Sequence, residues 1–120
     1  MCHKIMLIED DRTMLSLLQT LLTMEGFQVV TARDEQIEQM LTHIVEEKPE
    51  VILMDVNLRH GSGMELLSAI RTNPELDDIR VVMSSGMDYK HECLQKGAQG
   101  FLMKPYMPDD LIKIVKSYRN

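Results

Sequence analysis

Val51-Ile52-Leu53-Met54 is an uninterrupted apolar run that stops at an acid, Asp55, and Ile5-Met6-Leu7-Ile8 stops in the same way at Glu9 and Asp10. A strand with one wet face alternates apolar and polar residues. A strand covered on both faces does not, so unbroken runs this short point to a parallel sheet sandwiched by helices. The segments between the runs carry the matching signal. Over 13–25 the apolar residues Met14, Leu15, Leu17, Leu18, Leu21 and Leu22 follow helical spacing, with Asp11 as N-cap and Gly26 as stop. Residues 28–32 are rich in β-branched side chains and read as a second strand. Residues 34–47 return to a helical stripe (Ile37, Met40, Leu41, Ile44, Val45), which Pro49 ends.

The alternation continues after Asp55. Gly61 and Gly63 mark a loop, and 64–71 reads as a helix facing inward with Leu66, Leu67 and Ile70. A fourth strand is expected over 79–83, running into Ser84-Ser85-Gly86, then a short polar helix over 88–96. A fifth strand, 101–103, ends in Lys104-Pro105, and a last helix over 108–118 turns Leu111, Ile112 and Val115 to the core. Five strands alternating with five helices in 120 residues make one α/β domain spanning 1–120, with parallel strands and right-handed crossovers.

Composition closes off other classes. Thirteen basic residues against nineteen acidic give a formal charge of -6, which disfavours direct nucleic-acid binding by this domain. The apolar runs are too short to span a membrane, and Glu9-Asp10-Asp11 interrupts any signal-peptide core. Cys2 and Cys93 form no disulfide framework and no metal spacing. A cytoplasmic protein with reduced thiols is expected. The eleven Met residues read mostly as core filler, Met6, Met24, Met54 and Met83 among them. Met87, Met103 and Met107 are the alternative candidates for an adaptable surface.

In open sheets of this class ligands bind beyond the carboxyl ends of the strands. The first strand delivers Glu9 and Asp10 there, the third Asp55 with Asn57 two residues on, the fourth Ser85 and the fifth Lys104. Any one of these has a bland reading as a cap, turn or solvated residue. Together, each at the end of its own strand, they form a chemical set. Converging carboxylates stay ionised only beside a cation, and all-oxygen ligands with few protein contacts suit Mg²⁺. His3, His43, His60 and His91 are scattered, which argues against Zn²⁺. A metal site flanked by a hydroxyl and an ammonium is equipment for phosphoryl transfer, with Asp55 as the natural nucleophile. Lys104 and Ser85 would contact phosphoryl oxygens.

The stretches Ile5-Met6-Leu7-Ile8-Glu9-Asp10-Asp11, Val51-Ile52-Leu53-Met54-Asp55-Val56-Asn57, Gly63-Met64-Glu65-Leu66-Leu67, Val81-Val82-Met83-Ser84-Ser85-Gly86 and Gly97-Ala98-Gln99-Gly100-Phe101-Leu102-Met103-Lys104-Pro105 resemble, in this order and spacing, the receiver domains of two-component response regulators. The resemblance covers nearly the whole chain. It implies a flavodoxin-like three-layer sandwich with strand order 2-1-3-4-5, the order of a chemotaxis member of the family. It implies that a histidine kinase, or a histidine phosphotransfer protein, donates a phosphoryl group to Asp55. Asp10 would be the direct Mg²⁺ ligand, Glu9 its water-mediated companion, with Asp55 itself and the Asn57 backbone carbonyl as further ligands. Lys104 would contact the phosphate, and the Lys104-Pro105 bond would be cis. Ser85 and Phe101 would be the switch pair, changing the surface of the fourth helix, fifth strand and last helix that an output domain, a protein target or a homodimer partner reads.

The chain departs from the family pattern at Arg59, His60-Gly61-Ser62, Asp34, Glu35 and in a longer second helix. Asn57 and Met87 flank the expected path of the hydrolytic water, where an apolar Met87 would shield an acyl phosphate. Two other functions stay open at this point. One is an interaction module of receiver fold that works without phosphorylation. The other is a small aspartate-nucleophile phosphatase, against which Asn57 stands where an acid/base Asp would be needed. A flavin site is disfavoured by the acids after the first strand.

Overall fold

The computed structural model describes residues 3–32, 36–58 and 61–118. The readings made of Cys2, Asp34, Glu35, Arg59 and His60 lie outside these residues. Five strands form one sheet: β1 Lys4–Ile8, β2 Gln28–Thr31, β3 Val51–Asp55, β4 Arg80–Ser85 and β5 Gly100–Met103. Their order is 2-1-3-4-5 and every neighbouring pair is parallel. The connecting helices are α1 Arg12–Met24, α2 Ile37–Glu47, α3 Gly63–Arg71, α4 Lys90–Gln95 and α5 Pro108–Ser117, with one 3-10 turn at Pro74–Leu76.

The apolar runs are unbroken because their residues serve two cores in alternation. Ile5, Leu7, Val51 and Leu53 pack with Leu18 and Leu22 of α1 and Leu111 and Val115 of α5. Met6, Ile8, Ile52 and Met54 pack on the opposite face with Met40 and Ile44 of α2, Leu66, Leu67 and Ile70 of α3 and Cys93 of α4. This is the three-layer flavodoxin-like sandwich. Register carries the chemistry to one edge: Ile8 lies opposite Met54, Asp55 opposite Ser84, and Ser85 opposite Met103.

The capping signals work as their chemistry requires. Asp11 caps α1, its Oδ1 accepting from the N–H groups of Thr13 (3.0 Å) and Met14 (3.1 Å). Pro49 cannot continue α2, and Lys48 before it takes the left-handed conformation (φ 48°) while its N–H still reaches the Ile44 carbonyl at 2.8 Å.

Four sequence expectations need correction. α4 is shorter than the 88–96 read from polarity: Tyr89 is its N-cap, and Asp88 lies in the turn before it, accepting from the Lys90 N–H at 3.2 Å. β4 runs on through Ser84 and Ser85, both buried, since pairing with β5 continues there. The loop after Asp55 folds back as a two-residue antiparallel ladder, Asn57–Leu58 against Gly61–Ser62. Finally, the core-filler reading holds for Met6, Met54 and Met83, all 0% exposed, and fails for Met24, which is 77% exposed at the last position of α1. Met87, Met103 and Met107 are likewise exposed.

Candidate functional site

The site stands at the carboxyl ends of β1, β3, β4 and β5. After β1 the three acids diverge in role. Asp11 is spent as the α1 cap, and Asp10 is exposed. Glu9 turns inward until its side chain is only 3% exposed. A carboxylate that far from water needs partners. Glu9 has two, the Asp11 N–H at 3.2 Å and the Lys104 ammonium, whose Nζ lies 3.3 Å from Oε1.

Asp55 closes β3 with its side chain 16% exposed. Its Oδ1 accepts the Asn57 N–H at 3.1 Å, and its Oδ2 lies 2.6 Å from Lys104 Nζ. One ammonium therefore bridges two carboxylates, the charge-assisted contact with Asp55 being the shorter. The bridge joins residues 95 and 49 positions apart in sequence. Lys104 reaches there because its own N–H extends the β4–β5 ladder to the Ser85 carbonyl at 2.8 Å. The Lys104-Pro105 peptide is cis.

Ser85 is fully buried, and its Oγ accepts the Met87 N–H at 3.1 Å, which leaves the hydroxyl hydrogen available to donate. Phe101 is half-buried against the cluster under α2, α3 and α4. Asn57 is exposed at the start of the two-residue ladder. Among the described residues no group of three His, Cys, Asp or Glu side chains is set to hold a metal ion on its own. What the structure gathers is a carboxylate pair with an ammonium between them. The oxygen donors at hand are of the kind taken by a hard cation that keeps much of its water.

Sequence reasoning missed two residues here. Gly63 was read as a loop marker, yet it is the buried first residue of α3. A Cβ on it would stand 2.2 Å from the Asp55 carbonyl oxygen. Its N–H bonds the Val56 carbonyl at 2.8 Å, so α3 begins directly on the backbone of Asp55. The clue was its position eight residues after an acid that ends a strand, which composition alone does not weigh. Tyr106, two residues past Lys104, is 7% exposed. With Glu9, Asp11, Met14, Lys104 and Pro105 it lines a cleft of about 270 Å³ beside the site.

Electrostatics lead to an alkaline prediction. Burial alone would lower the Lys104 ammonium, but the bond to Asp55 and the charges of Glu9 and Asp55 raise it above its ordinary 10.5. Burial, and then the charges of Glu9 and Asp55, push the Tyr106 phenol far above its ordinary 10.0. Burial also raises the Tyr118 phenol, against the opposing charge of Arg80. In alkali the folded chain thus holds more protons than the unfolded one, so stability falls as pH rises. The contribution of Lys104 is fully present below 10.5 and is lost as pH climbs through its folded value. Urea midpoints are expected to drop between about pH 9 and about pH 11, and to drop less in Tyr106→Phe. Equal midpoints at the two pH values would contradict this.

The comparisons with known proteins follow the same geometry. The family model described as "Response regulator receiver domain" matches residues 5–116. The transcriptional regulatory protein CpxR of Escherichia coli K12 is 31% identical over 115 residues, covering 96% of this chain and 48% of that protein. The chain thus spans about half the length of this curated relative. The chemotaxis protein CheY of Bacillus subtilis is 27% identical over 124 residues and is covered in full. Among solved structures, a CheY-like receiver domain protein from Methanospirillum hungatei JF-1 superposes with a TM-score of 0.84 at 26% identity, covering 98% of this chain and 93% of that one. The receiver domain of the sensor histidine kinase PA1611 from Pseudomonas aeruginosa PAO1 shares the fold, with a TM-score of 0.82 at 21% identity and 98% coverage of both chains. Its structure is described with a magnesium ion coordinated in the active site cleft.

Proposed function

This chain belongs to the response regulator receiver domain family of two-component systems, and from that membership we propose that it is a phosphoacceptor switch whose nucleophile is Asp55. The observation that carries the proposal is the Asp55 carboxylate held 2.6 Å from the Lys104 ammonium, with buried Glu9 on the other side of that ammonium.

An Asp55 carboxylate oxygen attacks the phosphorus of a phosphohistidine on a histidine kinase or phosphotransfer protein. The new O–P bond makes an aspartyl phosphate, and the N–P bond breaks with its electron pair returning to the imidazole. Lys104 then neutralises a phosphoryl oxygen, and the Ser85 hydroxyl donates to another. Asp10, Asp55 and the Asn57 carbonyl would hold Mg²⁺, with Glu9 acting through water, and the cation when bound would supply positive charge to the phosphoryl oxygens. The magnesium ion described for the PA1611 receiver supports this choice of cation.

Drawing Ser85 toward the phosphoryl group changes the space beside half-buried Phe101, and the packing of α4, β5 and α5 is the bistable element. Leu94 on α4, Met103 on β5 and Met107 at the start of α5 are exposed apolar residues. Flexible Met side chains suit a surface that must fit a partner in one state only. An output domain, a target protein or a second copy is the reader. On this reading the chain turns over no substrate beyond its own phosphorylation and dephosphorylation. Among the described residues no helix is long and apolar enough to cross a membrane. A cytoplasmic location belongs to the proposal.

The test is intact mass after incubation with acetyl phosphate, with and without Mg²⁺, beside an Asp55→Asn variant. One added phosphoryl group that requires both Mg²⁺ and Asp55 is expected. No added mass, together with no binding of beryllofluoride, would move the assignment to a phosphorylation-independent interaction module.

A further inference from the structure

The Tyr106 hydroxyl stands beside the site, and the reaction above leaves it without work. Its ring packs in the cluster shared by β1, β3, α1 and α5, a place where Phe would serve as well. Its oxygen is buried and, among the described residues, has no hydrogen-bond partner. A buried hydroxyl in that state has given up its bonds to water for nothing, so the resting arrangement holds an unspent donor. Burial, with the charges of Glu9 and Asp55 added to it, keeps this phenol protonated, hence a donor, across the ordinary pH range.

Glu9 is the group such a donor suits. Its carboxylate is nearly sealed from water and leans on Lys104 and on the Asp11 N–H. Lys104 cannot serve everyone. Once a phosphoryl group sits on Asp55, the ammonium follows the larger charge, and Glu9 exchanges its direct ionic partner for the Asp11 N–H and the water of the bound cation. A buried carboxylate that gives up a direct ammonium contact gains from a further donor. Tyr106 lines the same cleft as Glu9 and Lys104, on the chain segment that carries Lys104.

We propose that Tyr106 is a positioning residue whose hydroxyl donates to the Glu9 carboxylate, directly or through one water in the cleft, when Lys104 turns to the phosphoryl group. The donor is idle at rest and engaged in the loaded state, so it favours the loaded state. The inference rests on the phosphoacceptor reading.

The experiment compares wild type, Tyr106→Phe, Glu9→Met and the double variant, each by urea unfolding of the resting protein and by calorimetric titration with beryllofluoride in Mg²⁺. Tyr106→Phe is expected to leave the resting urea midpoint unchanged or raise it, and to weaken beryllofluoride binding about tenfold. In the Glu9→Met background, which offers the hydroxyl no oxygen acceptor, the same substitution is expected to weaken it no further. Wild-type binding that Tyr106→Phe does not weaken overturns this inference alone. So does a loss that persists undiminished in the Glu9→Met background, or a lowered resting midpoint, which would reveal a partner already engaged. Failure of the wild type to bind overturns the phosphoacceptor reading, and this inference with it.

Discussion

Gly63→Ala is expected to lower the melting temperature by roughly 10 °C, the equivalent of about 3 kcal/mol in a domain of this size. The added Cβ would stand 2.2 Å from the Asp55 carbonyl oxygen and 3.0 Å from the Val56 Cα. Both are backbone atoms and neither can turn aside. The Asp55 carbonyl belongs to a strand paired on both sides, with β1 and with β4. On the other side α3 is pinned, with Ser62 Oγ capping it at the Met64 N–H (3.1 Å) and Leu66, Leu67 and Ile70 fully buried. Relief requires α3 to lift or the chain after Asp55 to move. Modification of Asp55 by acetyl phosphate should therefore fall together with stability. Gly61→Ala is the control. Its Cβ would meet only the Ile37 side chain at 3.4 Å, which can rotate, so a loss under about 1 kcal/mol is expected. Thermal unfolding and intact mass read both outcomes. A Gly63→Ala protein that melts with the wild type would show that α3 does not begin on the Asp55 backbone.

Arg71→Ala should cost about as much, some 3 kcal/mol, and it should loosen one region first. The Arg71 guanidinium donates to the Gly97 carbonyl (2.8 Å), the Ile79 carbonyl (2.7 Å) and Gln99 Oε1 (2.7 Å). Gln99 Oε1 also accepts the Val81 N–H at 2.7 Å. One side chain at the end of α3 thus holds the entry of β4, the exit of α4 and the entry of β5. Burial lowers its pKa from 12.5 and Asp77 opposes the shift, so the planar fork stays charged. Gly97, at φ +105°, presses its backbone against the Arg71 side chain, where a Cβ would come within 2.9 Å of Cγ. α4 buries only Cys93 among its own residues and depends on this clamp. In Arg71→Ala the amides of Gly97 and Ala98, bonded to the Leu94 and Cys93 carbonyls, should exchange faster than the β3 amides. Arg71→Lys should recover only a fraction, because one ammonium cannot span three acceptors set in a fork. Uniform acceleration across the sheet would instead assign Arg71 to global stability alone.

The ordering of elements was legible because it is a local property. An apolar run of four without alternation suits a strand covered on both faces, so 5–8 and 51–54, alternating with helical stripes, point to a helix-flanked parallel sheet before any contact is known. Because a parallel sheet brings its strand ends to one edge, Glu9, Asp55, Ser85 and Lys104 could be placed together there from the sequence. The strand order needed the family resemblance, because local pattern says which segments are strands and nothing about which lie side by side.

What only the tertiary structure decided is how that edge is shared. Three acids in a row look alike in sequence, yet Asp11 faces the amides of α1 and Glu9 is sealed inward against an ammonium from the far end of the chain. Arg71 and Tyr106 carry no mark in the sequence, and Gly63 only its spacing from Asp55, because their roles are set by atoms remote along the chain: a carbonyl at the end of β3, three acceptors around α4, and a hydroxyl that packing leaves without a partner among the described residues. Periodicity records which face a residue turns, and Met24 shows its limit, an apolar residue at a helix end with nothing above it. Burial and pairing are settled by whatever stands opposite, and only the folded chain puts something there.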